Sequence, residues 1–469
     1  MQKAERPAAP GRMRRVAVAL WLVSTAAPLA AECADLPAIR SQRYEEDYRG
    51  LADPSCRDDP LRRLKYIPIG RDGAHLSLGG ETRTRIEIAR NPDFGLDARR
   101  DRAVQQRLLL HADLHAAEDV RLFVQFGSFL AERRIGEAPT DVSRLDLVQA
   151  FAEAGTDLAG GRASLRAGRQ EVSLGSARLI SVRESPNIRR SFDGGRATWR
   201  RGDAEIEGFW MRPIALDRGV FDDASDGNEQ VYGVYATLPL ATAGGERGLD
   251  VYWIGYERDR ARFAAGTGAE TRHSLGLRLF GSAAGFDWDV EPIVQFGRFA
   301  GGRLRAWTIA SDLGYRPPGV PFSPRLGLKA DVASGDRDLG DRTLGTFNAL
   351  YPKLPYFTEA GLAVPSNIMD LHPTVALELA DRLVLELGVN FLWRHRRADA
   401  VYVPPLLPLA GSPGGSRYVG AQWEVNGEWT VSRGVELKCF FVHFAPGGAV
   451  TGLGGRGSDF LATSVALKF

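Results

Sequence analysis

The chain has 469 residues, 44% hydrophobic and 25% charged, enough apolar surface to bury a core and too much for global disorder. Its 60 basic and 58 acidic side chains nearly cancel; residues 1–31 hold five of the basic groups and one acidic group, which leaves 55 against 57. That balance argues against a nucleic-acid partner, which needs a basic stripe and a high isoelectric point.

The first element is an export signal. Arg12, Arg14 and Arg15 precede the apolar run 16–23, and small residues follow at Ser24, Ala26, Ala27, Ala30 and Ala31. This is the pattern of a cleaved secretory signal over 1–31. Glu32 before Cys33 argues against lipidation. Residues 32–75 follow as an N-terminal periplasmic segment, with a short helix expected in the charged stretch 36–52. Cys33 and Cys56 either pair in an oxidising compartment or remain thiols, and Cys439 reads as a small hydrophobe. No later run is long and apolar enough for a transmembrane helix.

From residue 76 onward the period is two. Alternating runs fall near 76–88, 104–115, 120–130, 145–154, 163–171, 178–183, 195–201, 204–211, 231–239 and 249–257. They continue at 272–280, 285–296, 304–314, 325–332, 371–379, 383–394, 417–429, 433–444 and 460–469. That makes nineteen. A single-chain bacterial barrel closes with an even number, so the weakest run, 178–183, is set aside and eighteen strands are expected. The clearest runs exceed the five or six residues of an average strand and match the ~9–11 needed to cross a bilayer at a tilt. In 383–394, Leu383, Leu385, Leu387, Val389, Phe391 and Trp393 form one face. In 418–429 Val419, Ala421, Trp423, Val425 and Trp429 oppose Tyr418, Gln422, Glu424, Asn426 and Glu428. Trp199, Trp210, Trp253, Trp393 and Trp429 sit near strand ends, as interfacial girdles require. Arginine in place of Leu385 is expected to destabilise the barrel.

Tight turns fall at Arg201-Gly202-Asp203, Ala380-Asp381-Arg382 and 430–434. Long connections lie near 89–103, 132–144, 213–230, 334–370, 395–416 and 445–459. The longest, 334–370, is expected to be a lid or plug. The last run alternates through Leu461, Thr463, Val465 and Leu467 to a terminal Phe469. It looks like the signal read by the outer-membrane barrel assembly machinery.

Four stretches then resemble one family. Residues 43–70 (RYEEDYRGLADPSCRDDPLRRLKYIPIG) run into LSLGGETRTRIE at 76–87. LRAGRQEVSLGSARLISVRESPNIRRSFDGGR follows at 165–196, and ASGDRDLGDRTLGTFNALYPKLPYF at 333–357. Together with Phe469 these are similar to the alginate-export family of outer-membrane barrels. The resemblance implies an 18-stranded monomeric barrel, partly occluded by loops, whose arginine-rich lumen selects an anionic polysaccharide; many members are porins of unassigned substrate. It matches Arg166, Arg169, Gln170, Arg183, Asn187, Arg189, Arg190 and Arg196 to family positions. Alternation adds Arg83, Arg85, Arg107, Arg200, Arg278, Arg325, Lys329 and Arg394 as lumen cations. Guanidinium groups around a pore lower the barrier for an anion and can bind carboxylates bidentately. The same face carries Glu81, Glu87, Asp113, Glu205, Glu207, Asp287, Asp289, Glu291, Asp331, Glu386, Glu424 and Glu428, so the opposing reading is a wall of cross-strand pairs.

No catalytic residue, metal site or cofactor is expected. The histidines are scattered, and Asp336, Asp338 and Asp341 suit a structural turn better than a calcium loop. The expected fold is all-β, a single antiparallel transmembrane β-barrel over 76–469. The expected function is passive passage of a polar, anionic solute, such as an acidic saccharide, across the outer membrane of a Gram-negative bacterium. Lipid and lipopolysaccharide would surround a single chain. The alternative is a soluble secreted all-β carbohydrate-binding protein or enzyme.

Overall fold

The computed structural model describes Cys33 and residues 36–70, 73–136, 138–240 and 247–469. The export signal lies outside the described residues. Eighteen strands form one closed antiparallel ring: β1 His75–Arg90, β2 Arg100–Ala117, β3 Val120–Glu132, β4 Ser143–Leu158, β5 Gly161–Gln170, β6 Phe192–Arg201, β7 Ala204–Ala215, β8 Glu229–Pro239 and β9 Arg247–Phe263. The ring continues through β10 Gly266–Ala283, β11 Phe286–Phe299, β12 Gly302–Tyr315, β13 Arg325–Ala333, β14 Ile368–Ala380, β15 Leu383–Arg394, β16 Tyr418–Ser432, β17 Val435–Pro446 and β18 Ser458–Lys468. Each strand pairs with the next. β1 pairs with β18 from Glu81↔Lys468 to Arg90↔Asp459, so no sheet edge is left unpaired.

The alternation decides which solvent each face meets. On β1 the buried set is Ser77, Glu81, Arg83 and Arg85, while Ile86 points outward and is exposed. Leu108, Leu110, Leu122, Phe126, Leu275, Leu277, Ile309, Leu387 and Val465 likewise lie exposed on the outer wall. So extensive an apolar surface has no place on a soluble monomer and is what lipid requires. The soluble alternative is discarded on this ground.

The start of β1 and the end of β18 lie at one end, where the connections run from two to nine residues. Short turns of this kind face the periplasm in bacterial barrels. The opposite end carries the long loops 171–191, 334–367 and 395–417. There Trp253 and His273 stack at 5.8 Å, and His273 and Phe296 lie 5.5 Å apart, with Tyr232 5.7 Å from Trp253. This is an aromatic belt on the outer wall. Trp210 and Trp253 sit inside β7 and β9 rather than at their ends, because these strands continue past the bilayer.

Three further expectations change. β9 and β10 run to Phe263 and back from Gly266, well beyond the residues that alternate cleanly. The charged stretch at 257–262 hides the continuation, and a register shift between Arg258 and Ala261 breaks its period. A second irregularity at Leu392/Trp393 swaps the parity at the start of β16. Gly420 takes φ +151° there. Tyr418 consequently packs on Trp393 on the outer wall at 5.7 Å, while Val419 is fully buried inside, the reverse of their expected faces. Finally, 36–52 is not an α-helix. It holds single 3₁₀ turns at Arg43–Glu45 and Arg49–Leu51, followed by another at Pro54–Cys56 and a short helix α1, Pro60–Lys65, capped by Asp59. Gly50, Pro54 and Pro60 limit helix length here. A Cys33–Cys56 disulfide and a small core of Tyr48, Leu51 and Tyr66 hold the segment together.

Arginine at Leu387, on the outer wall midway along β15 and 41% exposed, is expected to cost about 2–4 kcal/mol of barrel stability. Leu385 lies two residues from the β14–β15 turn, near the interface, where the cost of the same change falls to about 0–1 kcal/mol. Denaturant titration of both variants in lipid bilayers checks the order; equal costs would refute the depth assignment.

Candidate functional site

The candidate site is the lumen, and most of its charge is neutralised across strands. Arg166 on β5 binds Glu153 on β4 at 2.7 Å. Arg196 on β6 binds Glu207 on β7 at 2.7 Å, and Arg200 binds Glu205 at 2.6 Å. Arg278 bridges Asp250 and Asp289 at 2.8 and 2.6 Å. Arg325 bridges Asp287 and Asp312 at 3.1 and 2.8 Å. Asp113 pairs with Arg121, Glu424 with His372, and Glu428 with Lys438. Gln170 is fully buried and donates to the Gly194 carbonyl at 3.3 Å. Arg169 turns to the rim and binds Asp193.

A second set of lumen arginines anchors loops. The connection 171–191, which contains the run set aside as a strand, folds inward. Arg107 is fully buried; it donates to the carbonyls of Asn187, Glu184 and Pro186 at 2.9, 2.8 and 2.6 Å and lies 3.3 and 3.1 Å from the carboxylates of Glu81 and Glu184. Arg83 donates to the carbonyls of Glu184, Ser185 and Pro186. Asn187 donates to the Asp141 carbonyl on the neighbouring loop. Arg394, 1% exposed, spends its guanidinium on carbonyls of 397–416, so it shapes the 395–417 loop and does not face a pathway. The 334–367 loop, expected as a lid or plug, folds into the lumen and contacts its wall. Arg85 binds its Glu359 at 3.0 Å, Gln295 donates to its Asn348 carbonyl at 2.7 Å, and Ile180 bridges to its Tyr351. Asp336, Asp338 and Asp341 in this loop accept from nearby backbone amides, or donate their own, in a turn.

The N-terminal segment enters from the periplasmic end. Tyr44 packs edge-on against Phe123 and Phe151 of the inner wall at 6.0 and 5.4 Å, with the Arg166 guanidinium 4.1 Å from its ring centre. Gln42 and Tyr44 both donate to the Glu171 carbonyl. Ser41 donates to Glu184 and accepts from Arg189, which also binds Glu171 at 2.8 Å. The segment and the 171–191 loop therefore meet inside the barrel. Two carboxylates share Arg189 there. Burial opposes charge on both, but Arg189, Arg107 and Arg83 together hold Glu184 well below the usual carboxylate range. On Glu171 burial outweighs Arg189 and the weaker pull of Arg107, and pushes it up to about 7.

Above this junction lies a cavity of about 630 Å³ lined by Arg183, Arg190, Ile188, Tyr256, Tyr351 and Leu354 among others. Among the described residues neither Arg183 nor Arg190 has a carboxylate within 4 Å; Arg190 stands over the Tyr351 ring at 5.0 Å. Burial first, and then Arg190, push the Arg183 guanidinium far down from its ordinary value, and burial lowers Arg190 to about 10. Glu229, which lines the same cavity, offsets part of the effect on Arg190, whereas the only charge acting on Arg183 is that of Arg190. Lys329 on the β13 wall also has no hydrogen-bond or ion-pair partner among the described residues. A second cavity, about 850 Å³, lies between the N-terminal segment and β2–β6. The sequence reading missed Arg178, which binds Asp289 and Glu291 at 2.7 Å each, and Arg272, fully buried against Glu270 and Gln295. Arg272 follows the alternation of β10 and was legible; Arg178, inside an irregular loop, was not.

A closed 18-stranded barrel with an apolar outer wall, a charged lumen and inward loops defines an outer-membrane barrel of the porin type. The alginate export family model matches residues 74–463, and the chain belongs to that family. No curated protein sequence matches it. Among solved structures it is similar to OccAB1 of Acinetobacter baumannii, 11% identical over 87% of this chain and 99% of that one, TM-score 0.57. A BenF-like porin from Pseudomonas fluorescens Pf-5 is 10% identical over 84% and 99%, TM-score 0.56. OccK2 (OpdF) of Pseudomonas aeruginosa, solved in complex with glucuronate, is 12% identical over 84% and 98%, TM-score 0.52.

Proposed function

We propose that the chain is a passive channel of the Gram-negative outer membrane for polar anionic solutes of the acidic-saccharide class. One observation carries the solute class: where most lumen cations are paired, Arg183 and Arg190 line a cavity with no carboxylate within 4 Å of either among the described residues. A carboxylated sugar offers the planar anion that guanidinium groups bind in two-point fashion. The aromatic ring of Tyr351 beside Arg190 offers a surface for a sugar ring. The family's name, and the glucuronate bound to a protein of the same fold, point the same way. The proposal needs no catalytic group and no energy source. It also takes the chain to work singly, inserted by recognition of the terminal strand at Phe469.

Planar-bilayer reversal potentials in a salt gradient test it. The full chain is expected to prefer anions, and Arg183→Gln combined with Arg190→Gln to bring the permeability ratio toward unity. Cation preference in the unaltered chain would overturn the solute class while leaving the barrel intact.

A further inference from the structure

The outer wall carries a basic patch that the lumen does not use. On β11 and β12, register places Arg298 directly opposite Arg303, and Phe296 opposite Arg305. Leu304, Ala306 and Phe299 of the same strands are buried inside, so these three arginines point outward, and all are exposed. Like charges facing each other across a ladder destabilise a sheet unless something neutralises them. Among the described residues no carboxylate lies within 4 Å of any of the three. Glu257, on the outer face two strands away, is bound by Gln230 and Tyr232. Asp338 and Asp341 of the adjoining loop accept from the amides of Gly340 and Thr343.

The depth of the patch decides its partner. The next outward residues toward the periplasm are Phe296 and Trp307, 44% and 39% exposed, at the aromatic belt. Arg298 and Arg303 therefore sit one step above the aromatic belt and Arg305 at its level, opposite Phe296, on the end with the long loops, which faces the cell exterior. Arginine stems can lie along the wall there while the charge reaches the headgroup layer. Arg337 and Arg417, also exposed, extend the positive field around His395, which packs edge-on against Trp307 at 5.5 Å. Burial first, and then Arg396, Arg417 and Arg337, push that imidazole down to about 4. A multiply charged anion held at membrane depth meets these requirements, and a planar guanidinium pairs with phosphate at two points.

We infer that Arg298, Arg303 and Arg305 form a binding site on the outer wall for the phosphate groups of lipid A in the outer leaflet. The site would fix the rotational position of β9–β12 against the lipid and close the gap between barrel and lipopolysaccharide.

Native mass spectrometry of the full chain in detergent, titrated with bis-phosphorylated lipid A, tests the site against Arg298→Gln, Arg303→Gln and Arg305→Gln combined. Loss of three charge-assisted contacts is expected to weaken binding about tenfold or more. The unaltered chain is expected to bind dephosphorylated lipid A as weakly as the triple variant binds the phosphorylated form, and inorganic phosphate should not compete at millimolar concentration. Binding of the triple variant indistinguishable from that of the unaltered chain would overturn the site. So would equal affinity for dephosphorylated lipid, or displacement by inorganic phosphate, which would mark a simple anion patch. The dephosphorylated-lipid comparison uses only the unaltered chain, so the proposal stays testable even if the triple variant fails to assemble.

Discussion

Deleting residues 33–66 is expected to raise single-channel conductance several-fold. The described residues among them occupy the periplasmic mouth: Tyr44 fills a wall pocket against Phe123 and Phe151, Arg43 donates to the Gly80 and Phe469 carbonyls, and Ser41 and Gln42 reach the 171–191 loop. None of them belongs to the strand ring, which closes through β1 and β18 without their help. Removing them clears the mouth and leaves the ring intact. Glu171 gives the same contact a pH dependence. While the segment is docked, burial holds its carboxyl up to about 7 from an ordinary 4.5. The docked form thus binds more protons between those values, its advantage is complete below 4.5, and it is lost as pH rises through 7. Conductance of the full chain should increase with pH across that window, while the deleted chain and Glu171→Gln should show no such rise. Equal conductance with and without the segment would show that it does not obstruct the pathway.

Arg107→Ala is expected to be the most damaging single change in the lumen. The guanidinium is fully buried and serves two carboxylates and three carbonyls. Removing one partner of a buried ion pair typically costs about 3–5 kcal/mol, because the charge left behind has no compensation. Here Glu81 loses its only ion-pair partner among the described residues, while Glu184 keeps Arg189. The variant should unfold at lower denaturant and show noisy, larger channel steps, since on the β1–β2 side Arg83 is then the remaining arginine that holds the 184–187 part of the loop to the wall. Arg107→Lys should restore little, because one ammonium cannot reach the same set of acceptors. A variant with unchanged stability and quiet channels would refute the anchoring role.

The outer wall was legible because lipid imposes one rule on every strand: a period of two with apolar residues outward. Leu385, Leu387 and Phe391 obey it wherever they fall, so the lipid face followed from pattern alone; the pattern gave nineteen runs, and the even count of a closed barrel brought these to eighteen. The failures lie where that rule is suspended. At Tyr418 and Val419 one extra residue reverses the faces, and period counting carries no signal for a bulge. At 257–262 the strands have left the bilayer, so both faces turn polar and the alternation ends before the hydrogen-bond ladder does. The 171–191 connection mixes short apolar runs with arginines, because it packs against other loops, not against lipid.

By itself the sequence determined that the chain leaves the cytoplasm, crosses a membrane as strands and lines its interior with charges of both signs. It could not say which arginine is a partner and which is free. Arg107, Arg166 and Arg183 are the same residue type in similar surroundings of sequence. Only the tertiary structure decided that Arg107 holds a loop, that Arg166 packs on Tyr44 and pairs with Glu153, and that Arg183 and Arg190 have no carboxylate within 4 Å among the described residues. The reason is physical: facing is local and is set by a two-residue repeat, whereas charge compensation depends on which distant segments the closed ring brings within 4 Å.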